Sequence, residues 1–149
     1  MQLTQSNMIY TTHDELTGTL VLVHSDTKDY QVSNQGLIGM IIADDLKNDM
    51  IYVGFGMGEQ SLYTAGELWA LKRSNLVYAD MMRNSTKLDT LDFKDIFRIC
   101  MLLDSGLMKD RRKAIELSRY NDVIRSFAMA PLAEVFGIRQ VQHLQTLSA

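Results

Sequence analysis

The stretch Gly36 to Leu71, GLIGMIIADDLKNDMIYVGFGMGEQSLYTAGELWAL, decides the fold. Leu37 to Ala43 is a nearly continuous apolar run, too short for an independent helix, and the polar segment Asp44 to Asp49 leads from it into a second run, Met50 to Phe55. Two such runs joined by a polar loop read as a hairpin. In its second arm Ile51, Val53 and Phe55 share one face and Tyr52 and Gly54 the other, so one side is built to enter a core. Gly36 and Gly39 fit the same picture, because a strand that bends sharply needs residues that permit a bulge or a close backbone approach.

Upstream, Gly18 to His24, GTLVLVH, is a strand that ends at the turn-forming Ser25-Asp26-Thr27. Asp29 to Ser33, DYQVS, alternates polar and apolar and predicts a short half-buried strand before the Asn34-Gln35-Gly36 turn. Downstream, Thr64 and Glu67 have the spacing of a capping box. Two continuations satisfy that spacing. Either a helix starts there, or a single helical turn is followed by a short strand from Trp69 to Lys72 and a helix from about Asn75 to Asn84.

Beyond Thr90 the period is helical. Phe93, Ile96, Phe97, Cys100 and Leu103 follow the i, i+3, i+4, i+7 rule, and Gly106 is placed to end the helix. A second helix is predicted from about Lys109 to Arg119, burying Ala114, Ile115 and Leu117. A third covers Asp122 to Met129, and Pro131 opens a short fourth that ends at Gly137. The tail, with Val141, Leu144 and Leu147, offers an amphipathic turn or two.

The order Val21-x-Val23-His24, a polar turn, Tyr30, Gly36-x-Ile38-Gly39-x-Ile41-Ile42, an acidic turn, Ile51-Tyr52-Val53-x-Phe55, Gly58-Glu59 and Tyr63, then Glu67-Leu68, resembles an SH3-like barrel. Such barrels joined to helices are similar to small proteins encoded by tailed bacteriophages. The resemblance covers about a third of the chain. It implies a binding scaffold and transfers no catalytic residue. The expected fold class is therefore α+β: an N-terminal small SH3-like β-barrel in residues 1–74, and a C-terminal helical region in 75–149 packed on it. An open sheet covered by the C-terminal helices is the rival arrangement.

With 46% apolar and 22% charged residues and a single proline among 149 residues, the composition is that of an ordinary globular protein. The lone Cys100 has no partner for an internal disulfide, which points to a reducing, cytoplasmic setting. No run approaches the ~18 apolar residues of a membrane span. The net charge of −3 conceals an asymmetry: through Ser85 there are five Lys or Arg against ten Asp or Glu, and from Thr86 onward ten against eight. That small positive balance falls short of the basic footprint that phosphate neutralisation demands.

Motifs with chemical potential are weak. Gly54, Gly56 and Gly58 form G-x-G-x-G, but Glu59 follows where an anion would sit, and a strand follows instead of a helix. Asp44, Asp45 and Asp49 lack the register and glycine of a calcium loop. His13 stands beside Asp14 and Glu15, and His24 near Asp26, without a nucleophile beside them. Cys100 falls on the apolar side of its helix. These readings imply no cofactor, no metal and no enzyme.

Two surfaces are candidates for binding. One is aromatic: Tyr30, Tyr52, Tyr63 and Trp69 belong to the barrel region, where rings give large contact area at small entropic cost. The other is basic: Lys109, Arg111, Arg112, Lys113 and Arg119, read as the outer side of the second C-terminal helix. Ten methionines spread along the chain suit gap-filling and adaptable surfaces. The helix from Thr90 to Leu103 also has a wider apolar arc than one covered side requires, which predicts a homodimer through the C-terminal helices. The expected function is a non-catalytic protein-interaction module, of the kind a phage uses as a factor or inhibitor against a host protein. A nucleic-acid-binding protein using the basic helix and a small enzyme of unknown class are the alternatives.

Overall fold

The computed structural model describes residues 16–24 and 32–138. Its strands are β1 (Leu20–Val23), β2 (Ile38–Asp45), β3 (Met50–Gly56), β4 (Glu59–Tyr63), β5 (Leu68–Leu71) and β6 (Met129–Pro131). Its helices are α1 (Ser74–Arg83), α2 (Thr90–Ser105), α3 (Met108–Ser118), α4 (Asp122–Ala128) and α5 (Leu132–Phe136), with short 3₁₀ turns at Leu46–Asn48 and Ala65–Glu67. The class is α+β. The strands form one open sheet in the order β4-β3-β2-β1-β5-β6, and the registered pairs β1–β2, β1–β5, β2–β3 and β3–β4 are all antiparallel.

The chain divides into two compact units. One holds the described residues up to Trp69 together with those from Pro131 on; the other is Ala70–Ala130. The chain thus leaves the first unit within β5 and returns to it at the end of β6.

In the first unit β2 is the central strand, because it pairs with β1 through Leu20–Met40 and Val21–Gly39 and with β3 through Met40–Gly54 and Ile41–Val53. Leu20 to Val23, Ile38, Ile41, Ile51, Val53, Tyr63 and Leu68 are buried, and because successive side chains of a strand point to opposite faces, β1 is covered on both. At Gly39 the neighbouring strand comes so close that an added Cβ would lie 2.5 Å from Val53 Cγ1, 2.8 Å from Phe55 Cε1 and 2.9 Å from the Gly54 carbonyl oxygen. The glycine is there to let β3 lie on β2.

Two residues further on the register slips between Ile41 and Ala43. The extra residue, Ile42, turns outward, and with it Leu37 and Ala43 are exposed, so the apolar run from Leu37 to Ala43 is not the continuously buried strand that its composition predicts. A bulge of this kind inserts one unpaired residue and bends the strand. The curl is held from the other side: Tyr63 Oη donates to the Ser33 carbonyl at 2.7 Å, and Asn34 Nδ2 donates to Tyr63 Oη at 3.3 Å and to Ser61 Oγ at 3.4 Å. The turn before β2 therefore reaches β4, two strands away from β2 in the sheet.

The ambiguity after Thr64 is settled in favour of turn, strand and helix. Ala65–Glu67 is a single 3₁₀ turn, with the Thr64 N–H donating to Glu67 Oε1 at 2.9 Å and the Ala65 N–H to Asp49 Oδ1 at 2.9 Å. The strand expected over Asp29 to Ser33 lies almost wholly outside the described residues, as does the tail.

The second unit is helical. Asp89 caps α2 by accepting the Asp92 N–H at 2.8 Å, Gly106 ends it in the left-handed conformation, and Asn121 caps α4 by accepting the Ile124 N–H at 3.0 Å. Val77, Met81, Ile96, Ile99, Cys100, Leu103, Ala114, Ile115, Ile124 and Ala128 make its core. Leu117, expected among them, is only half-buried. The third predicted helix stops at Ala128, and Met129 to Pro131 run on as β6, with the Lys72 N–H donating to the Ala128 carbonyl at 2.9 Å.

Gly39→Ala is expected to lower unfolding stability by about 1–3 kcal/mol, the usual cost of forcing a methyl into filled space. Gly54→Ala, whose Cβ would meet Ile42 Cγ2 at an ordinary 3.4 Å, is the control and shifts stability by less than ~1 kcal/mol. Urea melts of the two variants compare them directly.

Candidate functional site: the seam of the first helical hairpin

Of the aromatic residues singled out in the sequence, the described ones, Tyr52, Tyr63 and Trp69, each have separate neighbours. Tyr63 is buried and held by Ser33 and Asn34, with the Phe55 ring edge-on at 6.3 Å. Trp69 is half-buried against His24, ring centroids 5.1 Å apart and nearly perpendicular. Tyr52 is half-buried on the outer side of β3, opposite exposed Leu62. Tyr30 lies outside the described residues, as do His13, Asp14, Glu15 and Asp26. Three rings with three separate partners serve the sheet first.

The glycines of G-x-G-x-G form a strand end. Gly54 and Gly56 belong to β3, Gly56, Met57 and Gly58 all have positive φ, and Met57 and Gly58 make the turn into β4, with Met57 fully exposed at its tip. A recess of about 340 Å³ beside that turn is lined by Asn34, Gly58, Glu59, Gln60 and Ser61. The acidic loop is tied locally, with Asn48 Nδ2 donating to Asp45 Oδ2 at 2.8 Å and Asp49 serving the 3₁₀ turn. Among the described residues no three His, Cys, Asp or Glu side chains gather as metal ligands would, and no helix is long and apolar enough to cross a membrane.

The basic cluster is split by helical phase. At 100° per residue, Lys109, Arg112 and Lys113 share the outer face of α3 with Glu116, whereas Arg111 falls on the side of Ala114, Ile115 and Ser118 and is half-buried. The Glu116 carboxylate lies 3.8 Å from Arg112 Nε and 4.0 Å from Lys113 Nζ, which cancels part of the positive field. Arg119 lies over the Tyr120 ring at 4.8 Å from its centroid.

Arg125 was not marked by any sequence motif, yet it is the buried charge of this unit: its guanidinium donates to the Arg119 carbonyl at 2.8 Å and pairs with Asp122. It satisfies a carbonyl at the end of α3. Cys100 is buried in α2, and both burial and the nearby Asp104 carboxylate raise its thiol pKa above the ordinary value.

One surface does gather side chains that the core does not use. In the antiparallel hairpin of α1 and α2, Ser74 Oγ donates to Asp104 Oδ1 at 2.5 Å, which places the row Ser74, Tyr78, Met82 of α1 alongside the row Asp104, Met101, Phe97 of α2. Val77 and Met81 on α1, and Ile96, Cys100 and Leu103 on α2, turn inward from these rows. Tyr78 and Met82 are each 47% exposed, Phe97 42% and Met101 54%. The wide apolar arc read from the sequence of α2 is thus partly met by burial of Phe93 and Leu102 to half, and its remainder lies along this seam.

Comparison of the chain with protein-family models, with curated proteins and with solved structures gives no match.

Because only the thiolate reacts, Cys100 should resist iodoacetamide at neutral pH and react at the rate of a free thiol once the chain is unfolded in urea. Raising the pH through and beyond the ordinary thiol range should accelerate native labelling later than it accelerates a model thiol. Mass spectrometry of timed samples measures both.

Proposed function

We propose that the chain is a non-catalytic protein-interaction module that docks a partner protein on the seam between α1 and α2. The observation that carries this reading is the alignment of Tyr78, Met82, Phe97 and Met101, four large apolar side chains about half exposed on a hairpin whose own core is already filled by Val77, Met81, Ile96, Cys100 and Leu103. Scattered exposed apolar residues are ordinary, whereas a contiguous strip marks a contact site. Methionine and aromatic side chains are the types that recognition surfaces favour, the former for adaptability and the latter for area.

The sheet suits a scaffold role. An SH3-like barrel is the reading we give to it, supported by the sequential antiparallel pairing from β1 to β4, by β5 beside β1, by the 3₁₀ turn before β5 and by the contact from Ser33 and Asn34 to β4.

Affinity capture with the wild-type chain should retain a protein that Phe97→Asp and Met101→Asp both fail to retain, while circular dichroism and thermal melts of Met101→Asp match wild type. Met101 is the more exposed of the two, so its replacement separates lost docking from lost folding. Retention of the same proteins by wild type and by a folded Met101→Asp variant would remove the seam from the function.

A further inference from the structure

Resting on the seam as the docking surface, we infer that its occupant is an acidic amphipathic helix of a partner protein. The charge around the strip makes the choice. On α2, Lys94, Phe97, Arg98 and Met101 stand at i, i+3, i+4 and i+7, so the two cations border the two apolar residues on one helix face. Lys94 and Arg98 are exposed, and among the described residues neither has an ion pair or hydrogen bond, whereas Arg83 on α1 is already paired with Asp80 at 3.2 Å. The opposite border, on α1, is formed by the uncharged Asn75 and Ala79. The carboxylate at the seam, Asp104, accepts from Ser74 at its far end. A ligand lying here therefore meets an apolar floor and a positive rim along one side. Carboxylates flanking its apolar face complement that rim, and lysines there are repelled.

Size points the same way. Four side chains of ~200 Å² each, about half exposed, present on the order of 400 Å² of apolar surface, well short of the ~800 Å² per partner of a standard stable interface. From Lys94 to Met101 the strip is about 10 Å long at ~1.5 Å per residue, the length that anchors at i, i+3 or i+4, and i+7 of one helix cover.

The test uses the full chain and a displayed library of 16-residue helical peptides, apolar at i, i+3, i+4 and i+7, with the flanking positions randomised among Glu, Gln and Lys. Selection is expected to enrich Glu on one flank, and the resulting Glu peptide should bind at least tenfold more tightly than its Lys counterpart by fluorescence anisotropy. The same peptide should lose at least tenfold in affinity against the Lys94→Glu, Arg98→Glu double variant and weaken as salt rises. Enrichment of Lys, no charge bias, or selected peptides that the Met101→Asp variant binds as tightly as wild type would overturn the inference. So would a homodimer in sedimentation velocity that Met101→Asp dissolves, or a peptide affinity that rises when residues 139–149 are deleted, since either names another occupant. If Met101→Asp abolishes capture of a cellular partner while the charge reversal leaves it intact, the docking reading stands and the acidic helix falls.

Discussion

The close lie of β3 on β2 at Gly39 governs the sheet. With a Cβ there, Val53, Phe55 and the Gly54 carbonyl would all have to move by several tenths of an ångström, and two of those three groups belong to the packed side of the strand. Because Gly39 also pairs with Val21, the same residue sets how β1 approaches. Strand β2 is shared by two ladders. A displacement at position 39 is therefore transmitted to β1 and β3 together, and the bulge at Ile42 then lets the distal half of the β2–β3 hairpin bend away from that contact. The hydrogen bonds from Tyr63 to Ser33 and from Asn34 to Tyr63 and Ser61 then tie the turn before β2 to β4.

Much of this was legible from composition. The hairpin arms, the Gly39 approach, and the helices from Thr90, Met108, Asp122 and Leu132 follow from apolar period and from turn or capping residues, within one or two positions, whereas the capping box at Thr64 fitted both a helix and the turn, strand and helix that are found. What could not be read was decided by pairing partners far along the chain. Nothing in LIGMIIA distinguishes a strand buried throughout from one that slips register at Ile42, since the slip depends on which residues of Met50 to Gly56 lie opposite. Strand β6 is similar. Three residues, Met129 to Pro131, carry no period, and only β5 lying beside them makes them a strand.

The candidate sites were legible in a different measure. The aromatic grouping assumed that rings in one region share one surface, yet Tyr63 and Trp69 were recruited by Ser33, Asn34 and His24. The basic grouping failed at Arg111 for a reason already contained in the sequence: 100° per residue carries it to the face of Ala114 and Ser118. Arg125 gave no signal at all. A buried arginine is recognised only once the carbonyl it serves, that of Arg119, is known to need a donor. For α2 the apolar excess itself was visible, but not the row on α1 that continues it, because Tyr78 and Met82 meet that excess only through the register set by Ser74 and Asp104.

That register also explains why the seam stays apolar without being core. In an antiparallel helix pair each helix contributes an inner stripe, here Val77 and Met81 against Ile96, Cys100 and Leu103, and the residues one step around from the stripe border the contact without being enclosed by it. Such border positions are ordinarily taken by long charged side chains, whose stems cover the apolar edge while their heads stay in water. On α2 this arrangement is found at Lys94 and Arg98, but Phe97 and Met101 occupy the step between those cations and the core. A phenyl ring and a thioether half in water cover nothing that an arginine stem would not cover as well. Their contribution to folding is therefore the buried half of each side chain, and the exposed half, flanked by cations without partners in the described residues, is what a second molecule would have to desolvate in order to bind.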